Sequence, residues 1–158
     1  MMKVVSKLLI VLMFVVPFVG CSDDDDKEKA EVDFAKEIEG SYSGALTISP
    51  LAEEPIPDVV IVVEHKSTNI VTLKLNQVLI PEVAEVDIQG NVNVSKDNDN
   101  YKVNGTISSF ELNGETVESN VSVSGTIDKD GKASLTIGLS IEEMGPLAVT
   151  FAGEKTQE

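Results

Sequence analysis

Residues 85–94 read EVDIQGNVNV, the most regular stretch in a chain of 158 residues. Apolar side chains stand at Val86, Ile88, Val92 and Val94, and polar or glycine residues fill the positions between them. Successive side chains of a strand point to opposite faces of its sheet. Strict alternation therefore predicts a strand with one buried and one solvated face, as in antiparallel sheets.

The same period of two recurs on both sides of this stretch, which gives about eight short strands from residue 40 onward. The other apolar faces are Tyr42, Leu46, Ile48; Val71, Leu73, Leu75; Tyr101, Val103, Ile107; Val117, Val121, Val123, Ile127; Leu135, Ile137, Leu139, Ile141; and Leu147, Val149, Phe151. Residues 59–63 are apolar at every position. We expect that segment to be covered on both sides.

The segments between the strands are short and rich in residues that tolerate positive φ, which predicts hairpin loops. These segments are 66–69, 96–100, 113–114 and 128–131. The apolar parity switches between Ile107 and Phe110, which predicts a bulge at Ser108 and Ser109. An all-β fold follows, and we predict a small antiparallel up-and-down barrel, since closure removes exposed edges. A two-layer sandwich of similar strand number is the alternative.

The first twenty residues have the pattern of a secretory signal. Lys3 and Lys7 precede an apolar stretch of twelve residues, Leu8 to Val19. A membrane-spanning helix needs about 20 such residues, so the stretch is too short to span. Positive charge, a short apolar core and a small residue, Gly20, are the expected order for a cleaved leader.

The sequence around Cys21, the chain's single cysteine, resembles a bacterial lipoprotein signal. The resemblance implies cleavage between Gly20 and Cys21, a diacylglyceryl thioether on Cys21, and acylation of the new amino terminus by a chain such as palmitate. The next residues resemble the export tag of surface lipoproteins in Bacteroides-type bacteria: Ser22, Asp23, Asp24, Asp25 and Asp26. An outer-membrane, surface-exposed protein is therefore expected. The alternative is a plain acidic spacer on a domain that faces the periplasm.

Charge excludes one class of partner. The chain has 12 Lys+Arg against 27 Asp+Glu, and none of the basic residues is arginine. Loss of residues 1–20 removes two lysines and leaves 10 against 27, a net charge of −17. Such a surface repels phosphate backbones, so nucleic acid is not expected as a partner.

Three regions follow from these patterns: a signal over 1–20, a lipidated and acidic linker over 21–38, and a barrel domain over 39–158. In the linker, Phe34 and Ile38 stand four residues apart. That spacing predicts a short amphipathic helix that packs on the base of the domain.

Residues 38–48, IEGSYSGALTI, resemble the opening strand of the calycin-like lipoproteins found in Bacteroides and relatives. The segment at 55–60 and the Gly-Thr-Ile … Asp-Gly pattern at 125–131 follow in the family's order. The resemblance spans roughly residues 38 to 153 and implies a lipocalin-like barrel. The molecular function of that family is undefined, and the tryptophan of true lipocalins is missing here. Lipocalin ligand chemistry is therefore not carried over.

Catalytic and metal-binding patterns are absent from the sequence, so no enzyme activity and no cofactor are predicted. His65 is the only histidine, and we expect it at a strand end facing solvent. Asp97 and Asp99 suggest a calcium loop, but its sixth and twelfth positions hold Lys102 and Ser108.

Two acids on the wet face of one strand, Glu85 and Asp87, are interpreted as a solubilising stripe and not as a glycosidase pair. The loop from Pro50 to Pro57 is either a lid or a rigid connector. We predict a binding module for a small apolar ligand or a glycan, inside the barrel or at its mouth. The alternative is a barrel filled by its own side chains that contacts a partner protein through its exterior.

Overall fold

The computed structural model describes residues 31–80 and 84–157. The predicted signal at 1–20, the lipidation site Cys21 and the acidic run Ser22 to Asp26 lie outside the described residues. Within the described ranges, no helix is long and apolar enough to cross a bilayer.

The described chain forms a closed antiparallel barrel preceded by a short helix. The elements are α1 (Phe34–Ile38), β1 (Gly40–Ser49), β2 (Ile56–Ser67), β3 (Ile70–Ile80), β4 (Ala84–Asp97), β5 (Asn100–Leu112), β6 (Glu115–Asp128), β7 (Lys132–Ile141) and β8 (Gly145–Lys155). Each strand pairs with its neighbours in sequence, and β1 pairs with β8 to close the wall. The up-and-down barrel is thus confirmed, and the sandwich is excluded.

The predicted inward faces are the observed core. In β4, Val86, Ile88, Val92 and Val94 are all at most 3% exposed, and the polar residues between them face outward or line the wall. Along the described chain no polar or charged side chain is buried. The core is therefore aliphatic apart from a few aromatic rings.

The expectation for residues 59–63 was wrong. Val59, Ile61 and Val63 are buried, but Val60 is 46% exposed and Val62 is only half-buried. A barrel strand has one interior face, and no second layer of described chain covers the outside of β2. Apolar residues on both faces of a strand do not require that both faces be covered.

The predicted turns and the bulge are confirmed. Asn98 and Asn113 adopt positive φ in the β4–β5 and β5–β6 hairpins, as asparagine can at low cost. Gly131 does the same in the β6–β7 hairpin. The β5–β6 register shifts between Ile107 and Ser109, where the apolar parity switches.

Helix α1 packs across one end of the barrel, as predicted. Asp33 caps it by accepting a hydrogen bond from the Lys36 amide at 3.0 Å. Ala35 and Ile38 are buried, and the Ala35 amide donates to the Thr68 carbonyl at 3.1 Å. We call this end the base and the opposite end the distal end.

Two polar contacts hold α1 against the base. His65 lies at the end of β2, partly exposed as predicted, with Nε2 at 2.8 Å from the Asp33 carboxylate. Desolvation acts to raise the pKa of the Asp33 carboxyl, but hydrogen bonds from the Lys36 amide and the His65 ring outweigh it, and the net shift is downward. The single histidine is therefore part of a structural contact.

On the other side of α1, the Tyr101 hydroxyl donates to the Glu37 carboxylate. Lys96 Nζ lies 3.3 Å from that hydroxyl and 5.1 Å from the centroid of the Tyr101 ring. The pKa of Tyr101 is raised, mainly by the hydrogen bond to Glu37 and to a lesser extent by burial. The hydrogen bond to Tyr101 raises the pKa of Lys96. These contacts fasten the carboxyl-terminal half of α1 to β4 and β5.

Tyr42 links α1 to the core and gives the fold a testable alkaline limit. Its side chain is 1% exposed, and its hydroxyl donates to the Ile38 carbonyl at 2.7 Å. Burial raises the pKa of Tyr42 to about 12, from an ordinary value of 10.0. The folded protein thus favours the neutral phenol. This stabilisation is complete below pH 10 and is lost as the pH rises from 10 to about 12.

We expect the unfolding free energy of the wild type to fall across this window by up to roughly 1.4 kcal/mol per pH unit more steeply than that of Tyr42→Phe. At pH 7 the variant should be about 1–2 kcal/mol less stable, because the buried Ile38 carbonyl loses its partner. Urea denaturation at pH 7, 9, 10 and 11 measures both effects. Equal pH slopes for the two proteins would contradict the assignment.

Candidate binding site

The barrel interior is filled by its own side chains. Ile48, Ile61, Val71, Leu73 and Ile137 come from four of the strands, β1, β2, β3 and β7, and each is 0% exposed. A cavity large enough for a guest would leave accessible area on the side chains that line it. Of the two interiors that the sequence allowed, the structure therefore favours the filled one, and binding sites are to be sought on the exterior.

The candidate calcium loop is a tight hairpin turn. Asn98 and Asp99 separate β4 from β5, and Asp97 pairs with Lys102 across the hairpin. The described residues contain no group of three or more His, Cys, Asp or Glu side chains placed to hold a metal ion.

A depression of about 590 Å³ lies on the outer wall over the distal halves of β3 to β6. Its lining is polar apart from one phenylalanine, which is buried and faces the core. We call it the polar groove, lined by Asn76, Gln77, Asp87, Gln89, Ser109, Phe110, Glu111 and Thr116. Seven polar side chains from four neighbouring strands therefore converge on one open site.

A bulge in β3 forms one wall of the groove. Leu75 pairs with Ile88 and Val78 with Val86, so that Asn76 and Gln77 together oppose Asp87 alone. Gln77 has φ 54°, and its amide donates to Asp87 Oδ1 at 2.6 Å. The carboxylate satisfies a backbone donor that the bulge removes from the ladder. As a result both amide side chains of the bulge are exposed at the rim.

The floor of the groove lies where β4 and β5 part. Their pairing is interrupted between Asp87 and Asn93 and resumes beyond it. Asp87 lies directly opposite Glu111, so two carboxylates face each other across the strands. Such a like-charge pair costs stability in a sheet. Glu85 does not line this site with Asp87, and its backbone amide donates to Asn113 Oδ1 at 3.0 Å.

The described lining of the groove offers hydrogen-bond chemistry. Amides donate and accept, carboxylates accept, and hydroxyls do both. Among the described residues, no histidine, cysteine or lysine lines it. The loop at residues 50–55 does not line it either, and Glu53 and Glu54 there are exposed. The sequence indicated Asp87 only as a surface acid. The β3 bulge at Asn76 and Gln77 was not predicted, because β3 contains no glycine or proline that would indicate a bulge.

Comparison with known families agrees with this architecture. Residues 38–154 match the calycin-like β-barrel domain family. The chain belongs to this family. The match covers β1 to β8 almost completely, so the resemblance read from the opening strand and the late hairpin is confirmed. A comparison with curated proteins gives no match.

A solved structure shares the fold of this calycin-like chain. It is a crystal structure from Bacteroides fragilis of a protein described as a candidate outer membrane protein. The TM-score is 0.59 at 18% sequence identity, and the alignment covers 78% of this chain. It covers 53% of the other protein, so the chain spans about half of that protein's length.

Proposed function

We propose that this protein is a non-enzymatic surface lipoprotein of the outer membrane that binds a neutral glycan in the polar groove. The convergence of seven polar side chains from four strands on one open depression carries the proposal. The barrel supplies a rigid support for the site, as binding sites on sheets require.

The anchor part of the proposal is supported by the order of residues at the amino terminus. A positive start, an apolar core and a small residue precede Cys21, and five polar or acidic residues follow it. The described chain enters the barrel at its base, through α1. The polar groove lies in the distal half, at the opposite end of the barrel from α1.

The glycan part is supported by the chemistry of the groove. Sugar hydroxyls donate and accept hydrogen bonds, which suits a lining of amides, hydroxyls and carboxylates. Asp87 and Glu111 favour donors and repel anions. A neutral glycan is thus preferred over a sulfated or uronic-acid polymer.

Titration of ¹⁵N-labelled residues 32–158 with panels of neutral and acidic oligosaccharides tests the proposal. We expect amide shifts in β3, β4 and β5 around the groove with neutral sugars only. Gln89→Ala should weaken binding about tenfold or more, since a lost hydrogen bond in a recognition site costs about 1–2 kcal/mol. Asn104→Ala is the matched control, because Asn104 is exposed on β5 outside the groove. Shifts that ignore Gln89→Ala, or no shifts with any neutral sugar, would contradict glycan binding at this site.

A second candidate function is contact with a partner protein through the barrel exterior. Two apolar side chains on the distal wall favour it: Leu79 is 65% exposed and Val60 is 46% exposed. They face the same depression, which adjoins the polar groove at Asn76 and Gln77.

A further inference from the structure

The pairing between β2 and β3 stops short of the distal end of the barrel. Pairing of these strands runs from Ser67 and Ile70 near the base to Ile61 and Leu75. Beyond that point, residues 56–60 and 76–80 are both in strand conformation, yet they do not pair with each other. We call these two facing segments the seam.

The backbone explains why pairing stops there. Asp58 has φ 58° and Gln77 has φ 54°, a conformation that residues other than glycine rarely adopt within a strand. Each interrupts the regular extended backbone of its strand, and Pro57 has no amide to donate. The seam therefore results from local geometry on both strands.

Each segment of the seam pairs with a neighbouring strand only along the edge that faces away from the seam. Val59 and Val60 pair with β1, and residues 78–80 pair with β4. On the side that faces the seam, among the described residues, their backbone groups have no strand partner. Such an edge is a template for another strand, and barrels normally remove it by closure.

The side chains beside the seam suit an extended peptide with alternating apolar residues. Val60 and Leu79 project from opposite edges into a depression of about 460 Å³, and Val62 continues its apolar surface. A bound strand would place every second side chain against these residues.

Charge around the seam selects among peptides. Asp58 lies in the seam, and Glu53 and Glu54 lie in the loop that leads into β2. The lysine that lines it, Lys74, is paired with Glu64 at 2.7 Å. The local surface is therefore acidic and favours a basic flank on the incoming segment.

We propose that the seam is a strand-addition site that takes an extended segment of a partner protein, with alternating β-branched residues and a basic flank. Main-chain hydrogen bonds would supply affinity, and the Val60 and Leu79 contacts would supply specificity. A hydrocarbon guest would leave the edge groups unpaired, so the chemistry favours a polypeptide. This inference rests on the second candidate function, the contact with a partner protein.

The direct test is isothermal titration of residues 32–158 with a capped peptide, (Lys-Val-Thr-Val)₂-Lys. We expect binding that weakens at least tenfold when alternate amides of the peptide are N-methylated, because this removes donors and keeps the side chains. Leu79→Ser and Val60→Ser should each weaken binding severalfold. Val32→Ser is the matched control, since Val32 is 51% exposed before α1, at the base. All three positions are exposed, so folding should be retained, as circular dichroism would verify.

Hydrogen exchange gives an independent readout. Amides of 56–60 and 76–80 that point into the seam should exchange fast in the free protein and slow down with the peptide. Slow exchange before the peptide is added, or equal binding of the N-methylated peptide, would overturn the proposal. So would self-association through the seam, detected as a dimer that Leu79→Ser abolishes.

Photo-crosslinking in intact cells tests two proposals separately: that the protein contacts a partner protein, and that the contact is at the seam. A crosslinker at position 60 should capture a protein, whereas one at position 32 should not. Capture from other exterior positions but not from 60 would overturn the seam and leave the partner function standing. No capture from any exterior position would overturn both.

Discussion

A Cys21→Ala variant of the full-length chain is expected to lose its acyl chains and, with them, its stable anchor in the outer membrane. The proposed anchor attaches acyl chains to the Cys21 sulfur and to the amino group that cleavage exposes. Both depend on this one side chain. A single acyl chain holds a protein only reversibly, at about 0.8 kcal/mol per buried methylene, whereas two or more anchor it stably. Detergent phase partition should move the protein from the detergent phase to the aqueous phase, and labelled palmitate should no longer be incorporated.

Variants of the neighbouring residues distinguish anchoring from export. Ser22→Ala should keep the label and the detergent-phase partition. Replacement of Asp23 to Asp26 by asparagine should also keep the lipid, but it should protect the barrel from protease added to intact cells. Retained label in Cys21→Ala would refute the lipidation site. Unchanged protease sensitivity in the asparagine variant would show that the acidic run is only a spacer.

The inward face of each strand could be predicted because burial in a small barrel has the same period as the strand itself. Each interior position needs an apolar side chain and each exterior position can be polar, so β4 shows in its sequence which face is buried. The turns could also be predicted from the sequence, because asparagine adopts positive φ at low cost, as Asn98 and Asn113 do here.

The exterior site could not be predicted from the same period. The polar groove depends on a bulge at Asn76 and Gln77 that no sequence pattern indicated, and on an interruption of pairing between β4 and β5. Both depend on how distant strands align after closure. Val60 is a second example of an exterior position that its sequence did not reveal. Its apolar side chain predicted burial, but it is 46% exposed because no described segment covers the outer face of β2 there.

The contacts at the base were hidden for a related reason. The spacing of Phe34 and Ile38 indicated a helix, but Asp33 meets His65 across 32 residues and Glu37 meets Tyr101 across 64. Local patterns carry no information about such distant pairs. The helix has only five residues and would be marginal alone, so these contacts and the burial of Ile38 stabilise it.

Gly44→Ala is expected to be among the most damaging single substitutions in the barrel. Gly44 of β1 lies directly opposite Gly153 of β8, where the wall closes. A Cβ on Gly44 would collide with the Ala152 carbonyl oxygen and with the Gly153 Cα. These are backbone atoms and cannot rotate away, so the two strands would have to separate. We expect a loss of roughly 3 kcal/mol or more in unfolding free energy and a fall in Tm of about 10 °C or more.

Gly114→Ala is the matched control for Gly44→Ala. Gly114 has φ 84° in the β5–β6 hairpin, and a Cβ there would meet nothing within 4 Å. Its cost is conformational only, about 1 kcal/mol. Thermal and urea unfolding of both variants measure the difference. A Gly44→Ala protein as stable as Gly114→Ala would mean that β1 and β8 do not approach this closely. The closed barrel depends on that approach, because without the β1–β8 pairing both strands become exposed edges.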